Sequence, residues 1–121
     1  MNLALNLAQA SGYKSQPQKI RVLTENWVHR QVYCPNCGQL NIGRYGAGQP
    51  VADFYCSKCR EDYELKSKKD SIGSKIVDGT YKTMIERLRS SKNPNFFFLN
   101  YNPQRFEVLS FLVIPKHFFV P

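Results

Sequence analysis

The chain has 121 residues, enough for one domain, and its 42% hydrophobic and 13% aromatic content excludes a disordered basic tail. Its 17 basic residues exceed the 9 acidic ones, and the formal charge of +8 favours a polyanionic partner such as nucleic acid, with a surplus that only serves solubility as the alternative. The apolar runs are far shorter than the roughly 20 residues of a membrane span, and no signal peptide opens the chain, so we expect a cytoplasmic protein without membrane contact.

The first predicted element is a helix over residues 18–32, in which Ile20, Leu23 and Trp27 share one face. This spacing makes Trp27 a core residue in preference to a platform for stacking bases. The later elements, in chain order, are short strands over 50–55 and 62–67, a helix over 74–90, and strands over 95–101 and 106–114. Because the last strand is apolar on both faces, we expect it in the centre of the sheet. The order of elements indicates an α/β layered core.

The only cysteines have the spacing C-x2-C-x18-C-x2-C, and they are Cys34, Cys37, Cys56 and Cys59. This spacing is typical of a zinc site, in which two tight turns each present two thiolates to one ion. Two disulfides or a redox pair are the alternatives, and the lack of a secretion signal disfavours the disulfides. Four thiolates leave no position for water, so we expect a structural zinc in an element over residues 33–60. His29 and His117 lack ligand spacing to the cysteines, and we expect no zinc role for either.

Acidic residues and a lysine occur on the two short predicted strands. Asp53 belongs to the first, and Glu64 and Lys66 project from one face of the second because side chains alternate along a strand. If the strands pair, Asp53 approaches Glu64 and forms an oxygen pocket for a hard ion such as Mg²⁺. Lys66 could then orient a water or stabilise charge on a phosphate. The alternative is a solvated cross-strand ion pair worth less than ~1 kcal/mol.

The residues around this set resemble the PD-(D/E)xK nuclease signature and, more closely, the catalytic domain of the DpnI restriction endonuclease family, also described as Dam-replacing proteins. The resemblance is carried, in family order, by LTENWV at 23–28, YCPNCG at 33–38, PVADFYC at 50–56, ELKSKK at 64–69, DG at 78–79 and NPNFFFL at 93–99.

The resemblance implies a PD-(D/E)xK restriction-endonuclease-like core, a mixed sheet flanked by helices, with an inserted four-cysteine zinc element. It implies a type II methyl-directed restriction enzyme that cleaves GATC sites carrying N6-methyladenine by Mg²⁺-dependent phosphodiester hydrolysis. By family role, Asp53 and Glu64 bind Mg²⁺, Leu65 contributes its backbone carbonyl, and Lys66 positions the attacking water. The expected partner is double-stranded methylated DNA, and we expect a monomer.

Members of this family continue into a C-terminal winged helix beyond the part that this sequence resembles. We therefore expect residues 1–121 to form a single nuclease-like catalytic domain that is C-terminally truncated and has no winged-helix domain. The alternative function is a truncated, non-catalytic, zinc-braced DNA-binding module. Such a module would bind DNA in a salt-sensitive manner without cutting it.

Overall fold

The structure is a computed structural model that describes residues 2–46, 52–69 and 95–116. Its elements are a 3-10 helix at Leu7–Ala10, α1 at Gln16–Gln31, β1 at Gly43–Arg44, β2 at Phe54–Tyr55, β3 at Asp62–Lys69, β4 at Asn95–Asn102 and β5 at Glu107–Ile114. The predicted helix over residues 74–90 and His117 lie outside the described ranges. Within those ranges, no helix has the length and apolar character needed to cross a membrane.

The five strands form one mixed sheet in which chain order is also spatial order. β1 pairs antiparallel with β2, and β2 pairs antiparallel with β3. β3 and β4 are parallel, and β5 returns antiparallel to β4. The predicted hairpin with the second cysteine pair at its turn is confirmed, because the segment that joins β2 to β3 contains Cys56 and Cys59. The mixed α/β class is confirmed as well.

Helix α1 begins where the sequence supplies the right end groups. The hydroxyl of Ser15 accepts a hydrogen bond from the Gln18 N–H at 3.3 Å, and Pro17 occupies the first turn, where its missing N–H costs nothing. Leu23 and Trp27 are buried on the face that the spacing predicts. The predicted helix over 18–32 is therefore confirmed, with an observed start two residues earlier and an observed end one residue earlier.

The core lies between α1 and one face of the sheet. The rings of Trp27 and Phe111 are 5.4 Å apart, and Phe97 stacks on Tyr63 at 4.5 Å with an interplanar angle of 7°. Strand β4 is buried along nearly its whole length, and its Phe96 belongs to a second apolar cluster apart from this core. A strand covered on both faces has a continuous hydrophobic sequence, as this one does.

The expectation that the last strand is central is wrong for the described sheet, where β5 is the end strand and β4 lies inside it. Leu112 and Val113 of β5 are 44% and 37% exposed. The error has a physical origin. An apolar pattern reports how side chains are covered, whereas a central position depends on hydrogen-bonded neighbours at both backbone edges, which the pattern does not encode.

We expect Trp27→Ala to lower the free energy of unfolding by about 3–5 kcal/mol, because the fully buried indole would leave a cavity. The substitution also removes the indole N–H that donates to the Asn2 carbonyl at 2.8 Å. Trp27→Phe keeps most of the apolar area and should cost less. Urea unfolding of both variants measures the difference, and a loss under about 1 kcal/mol for Trp27→Ala would contradict the core assignment.

Candidate metal centre and nuclease site

The four cysteine sulfurs form one compact cluster, with all of them within 4.8 Å of one another. The Sγ atoms of Cys34 and Cys59 are 3.6 Å apart, and those of Cys37 and Cys56 are 3.5 Å apart. Tetrahedral coordination with Zn–S bonds of about 2.3 Å places sulfurs about 3.8 Å from each other. The cluster therefore has the donor chemistry and nearly the dimensions of a four-thiolate zinc site. In the described ranges it is the one group of three or more such ligands.

The two cysteine pairs adopt the same backbone turn. The N–H of Cys34 donates to the Gln39 carbonyl at 2.9 Å, and the N–H of Cys56 donates to the Glu61 carbonyl at 2.9 Å. In each case the first cysteine of the pair is bonded to the residue five positions later. The two turns are thus equivalent, and each presents two sulfurs to the same point.

Each turn ends with a residue in the left-handed backbone region. Gly38, with φ of 82°, closes the first turn and donates its N–H to the Cys34 carbonyl at 2.8 Å. Arg60, with φ of 64°, closes the second and donates to the Cys56 carbonyl at 2.9 Å. A non-glycine residue in this region is strained by about 1–2 kcal/mol. The cluster thus imposes on Arg60 a conformation that the arginine would otherwise avoid.

Tyr63 of β3 contacts the cluster directly, because its hydroxyl lies 3.2 Å from Cys34 Sγ. Burial raises the pKa of Cys34, but hydrogen bonds from Tyr63 and from the backbone N–H groups of Cys37 and Asn36 outweigh it and lower the pKa to about 6. Burial raises the pKa of Tyr63, so the phenol keeps its proton and donates it. Cys34 is therefore prepared as a thiolate, the form that binds metal.

Cys37 has the opposite tendency. The backbone N–H of Gln39 lowers its pKa, but burial and hydrogen bonds with the other three thiols raise it to about 11. Four thiols in so small a volume cannot all ionise together, because like charges repel one another. A bound cation removes that repulsion, and this is a second reason why the cluster fits a metal.

Asp53, predicted within the first short strand, lies immediately before β2. Its backbone is held on both sides, since its N–H donates to the Tyr63 carbonyl and its carbonyl accepts from the Tyr45 N–H, both at 3.0 Å. Its carboxylate Oδ2 accepts the Leu65 N–H at 2.7 Å. These three contacts fix the half-buried carboxylate against the middle of β3.

The Leu65 contact also locates the carbonyl of that residue. In an extended strand, the N–H and C=O of one residue point to the same side. The Leu65 N–H points toward Asp53, so its carbonyl points toward the same edge of β3. Strand β2 begins at Phe54, which pairs with Tyr63, so within the described residues no strand covers this edge from Leu65 onward. The Asp53 carboxylate and the Leu65 carbonyl therefore share an open edge.

Glu64 and Lys66 lie on either side of Leu65 in β3. Lys66 Nζ is 3.9 Å from Glu64 Oε2, as expected for side chains on one face of a strand, and the two side chains are 41% and 17% exposed. The structure thus connects the predicted site residues by two contacts, Asp53 to Leu65 and Lys66 to Glu64. Glu64, Leu65 and Lys66 are consecutive in β3, and Asp53 contacts this stretch through the Leu65 N–H.

A cavity of about 600 Å³ opens beside Asp53, between α1 and the uncovered edge of β3. Its charged and polar lining includes Arg21, Glu25, Asp53, Ser67 and Lys69. Arg21 Nε donates to Glu25 Oε2 at 2.7 Å. Sequence reasoning missed both residues of this pair. Their i,i+4 spacing indicates that they can pair, but only the packing of α1 on the sheet brings them to the cavity of Asp53.

We expect the purified chain to contain one zinc ion per molecule, and a strong chelator to lower its melting temperature by at least about 10 °C, because metal binding to such sites is coupled to folding. Metal analysis and thermal unfolding measure both effects. Cys34→Ser should lose the zinc, whereas Ser57→Ala, in the exposed part of the second turn, should keep it. A folded wild-type chain without metal and insensitive to chelation would contradict the zinc assignment.

The sequence matches a known protein family. The model of the DpnI, or Dam-replacing, family matches residues 1–121, the full length of the sequence. A family of this kind implies a restriction-type nuclease that acts on DNA. Since the match covers the whole of it, the chain belongs to the Dam-replacing family.

Proposed function

We propose that the chain is a Mg²⁺-dependent endonuclease with a PD-(D/E)xK core that cleaves GATC sites carrying N6-methyladenine in double-stranded DNA. The observation that carries the proposal is the bond of 2.7 Å that holds the Asp53 carboxylate on the Leu65 N–H, between Glu64 and Lys66. Family membership supports the restriction-type activity and the DNA substrate. The methyl-directed specificity is taken from the family resemblance alone.

The donor set suits magnesium. Asp53, Glu64 and the Leu65 carbonyl offer only oxygen atoms, which are the ligands that this hard ion prefers. When bound, Mg²⁺ would polarise the phosphate and lower the pKa of a coordinated water. The chain itself contributes orientation, because the Leu65 N–H engages one oxygen of Asp53 and thereby fixes the direction of the other.

Lys66 supplies the positive charge of the site. Its ammonium is partly exposed and only loosely paired with Glu64 at 3.9 Å, so it can turn toward an incoming phosphate or water. In that position it orients the attacking water and stabilises charge that develops on the phosphate. The water oxygen bonds to phosphorus, the bond to the 3′ oxygen breaks, and the leaving oxygen takes up a proton.

The remaining features have supporting roles in this proposal. The four-cysteine element over residues 33–60 holds a structural zinc and braces the hairpin that carries Asp53 and Glu64. The net charge of +8 attracts the DNA backbone and makes binding sensitive to salt. We assign all of this to one monomeric, nuclease-like unit over residues 1–121.

Asp53→Asn, Glu64→Gln and Lys66→Ala should each reduce cleavage of methylated plasmid by at least about 100-fold in Mg²⁺, since each removes a metal ligand or the charge that faces the phosphate. Zinc content should not change. The matched control is Asp62→Asn on the same hairpin, whose carboxylate accepts the Tyr45 hydroxyl at 2.6 Å and has no proposed part in the chemistry. Gel analysis of plasmid forms over time gives the rates.

Cleavage that survives Asp53→Asn at the wild-type rate would overturn the assigned site. A wild-type chain that binds DNA but neither nicks nor cuts it in Mg²⁺ or Mn²⁺ would overturn the endonuclease proposal and favour the non-catalytic DNA-binding module.

The methyl-directed part of the proposal has its own test. Plasmid methylated at the adenine of GATC should be cut, while the same plasmid without methylation should stay intact under the same conditions. Plasmid remethylated in vitro serves as the control, because it differs from the uncut substrate only in the methyl groups. Equal digestion of both plasmids would remove the methyl-directed specificity and leave the hydrolytic site standing.

A further inference from the structure

Arg21 is held in place on the surface of α1. Its Nε donates to Glu25 Oε2 at 2.7 Å, and the arginine side chain is 60% exposed whereas the glutamate side chain is 16% exposed. A guanidinium has five N–H donors in a planar fork, and this bond uses the one on Nε. The fork end of Arg21 is therefore oriented by a nearly buried carboxylate and directed toward solvent.

The Arg21–Glu25 pair stands where two cavities meet. One is the cavity of about 600 Å³ that contains Asp53, and the other, of about 410 Å³, is lined by Arg44 and Tyr45 near β1. Both cavities include Arg21 and Glu25 in their walls. Together the two cavities, called the groove, extend from β1, past the shared Arg21–Glu25 pair, to the edge of β3.

The charges along this groove match a phosphate backbone. Arg21, Arg44 and Lys69 line it, and of its two acids Glu25 is already paired with Arg21. The remaining acid, Asp53, is close enough for its charge to act on Arg21. An arginine beside the carboxylate assigned to the metal is placed to bind an anion that extends from that point, and arginine binds phosphate through two parallel hydrogen bonds.

We propose that Arg21, oriented by Glu25, binds a phosphate of the DNA strand that flanks the phosphate at Asp53, and that the groove past Arg44 is the path of that strand. The identity of the anion as DNA rests on the proposed function. Arg21 contacts the DNA backbone and does not contribute to sequence recognition, because phosphate contacts position a duplex without distinguishing its bases.

The test measures binding apart from cleavage. The zinc-loaded full chain is titrated into a fluorescent duplex containing one methylated GATC site, without added magnesium, at several salt concentrations. Arg21→Ala should weaken binding about tenfold and make the slope of log affinity against log salt shallower by about 0.9, the value for one lost phosphate contact. Arg21→Lys keeps the charge and should recover the slope but only part of the affinity.

Arg30→Ala is the matched control. Arg30 is also on α1, and its Nε is also held by a residue one helical turn away, here four positions earlier, since it donates to Asn26 Oδ1 at 2.7 Å. It lines neither cavity, so its removal should leave affinity and salt slope unchanged. If Arg30→Ala and Arg21→Ala lower affinity equally, the effect is general charge and the proposal is wrong.

The remaining outcomes are equally decisive. The ratio of affinities for methylated and unmethylated duplexes should be the same for Arg21→Ala as for the wild type, and a changed ratio would make Arg21 a base-reading residue. Wild-type affinity in folded Arg21→Ala, or no DNA binding by the wild-type chain, would overturn the proposal. Cleavage by the wild-type chain is scored separately. Binding through Arg21 without cleavage would support this inference while refuting the proposed hydrolysis.

Discussion

The contact between the Tyr63 hydroxyl and the Cys34 sulfur joins strand β3 of the sheet to the cysteine cluster. Tyr63 is fully buried, stacks on Phe97 in the middle of the sheet, and reaches the thiol cluster at 3.2 Å. The cluster belongs to the same core, since Cys34 and Cys56 are buried in it together with Ile42, and the Tyr63 contact adds a direct bond between the cluster and β3. The next residue along β3 is Glu64. Any shift of the cluster relative to the sheet is therefore transmitted directly to the predicted nuclease site.

The second cysteine turn also sets the register of the hairpin. Cys56 and Cys59 lie between β2 and β3, and the hydrogen bond from the Cys56 N–H to the Glu61 carbonyl closes the turn at 2.9 Å. A slip of one residue would move every side chain of β3 to the opposite face. Asp53 would then lose the Leu65 N–H. This hairpin thus contains two of the four clustered cysteines as well as Glu64 and Lys66 of the proposed oxygen-ligand site, and its register affects the geometry of both.

Much of this arrangement could be predicted from the sequence, for identifiable reasons. The spacing of four cysteines indicates a metal cluster because two-residue gaps restrict the turn, and the apolar face of α1 predicts a buried Trp27. The position of β5 could not be obtained in this way, because edge and central strands differ in backbone pairing. The pairing of Asp53 with the Leu65 backbone also escaped prediction, since a backbone N–H is present at nearly every residue and leaves no mark in the sequence. Arg21 was missed because its importance depends on where α1 lies on the sheet.

The charge distribution explains why a protein of net charge +8 keeps carboxylates near its expected substrate site. A uniformly basic surface would hold DNA without favouring any one phosphate, since backbone attraction is independent of sequence and nearly uniform along the duplex. Fixed carboxylates create a place that repels the DNA backbone until a divalent cation binds there. Asp53 is fixed by a backbone bond, and Glu64 is close to Lys66. In the proposed function the basic groove and the acids therefore act in opposite senses on the same DNA strand, and a bound divalent cation would bring the acids and one phosphate together.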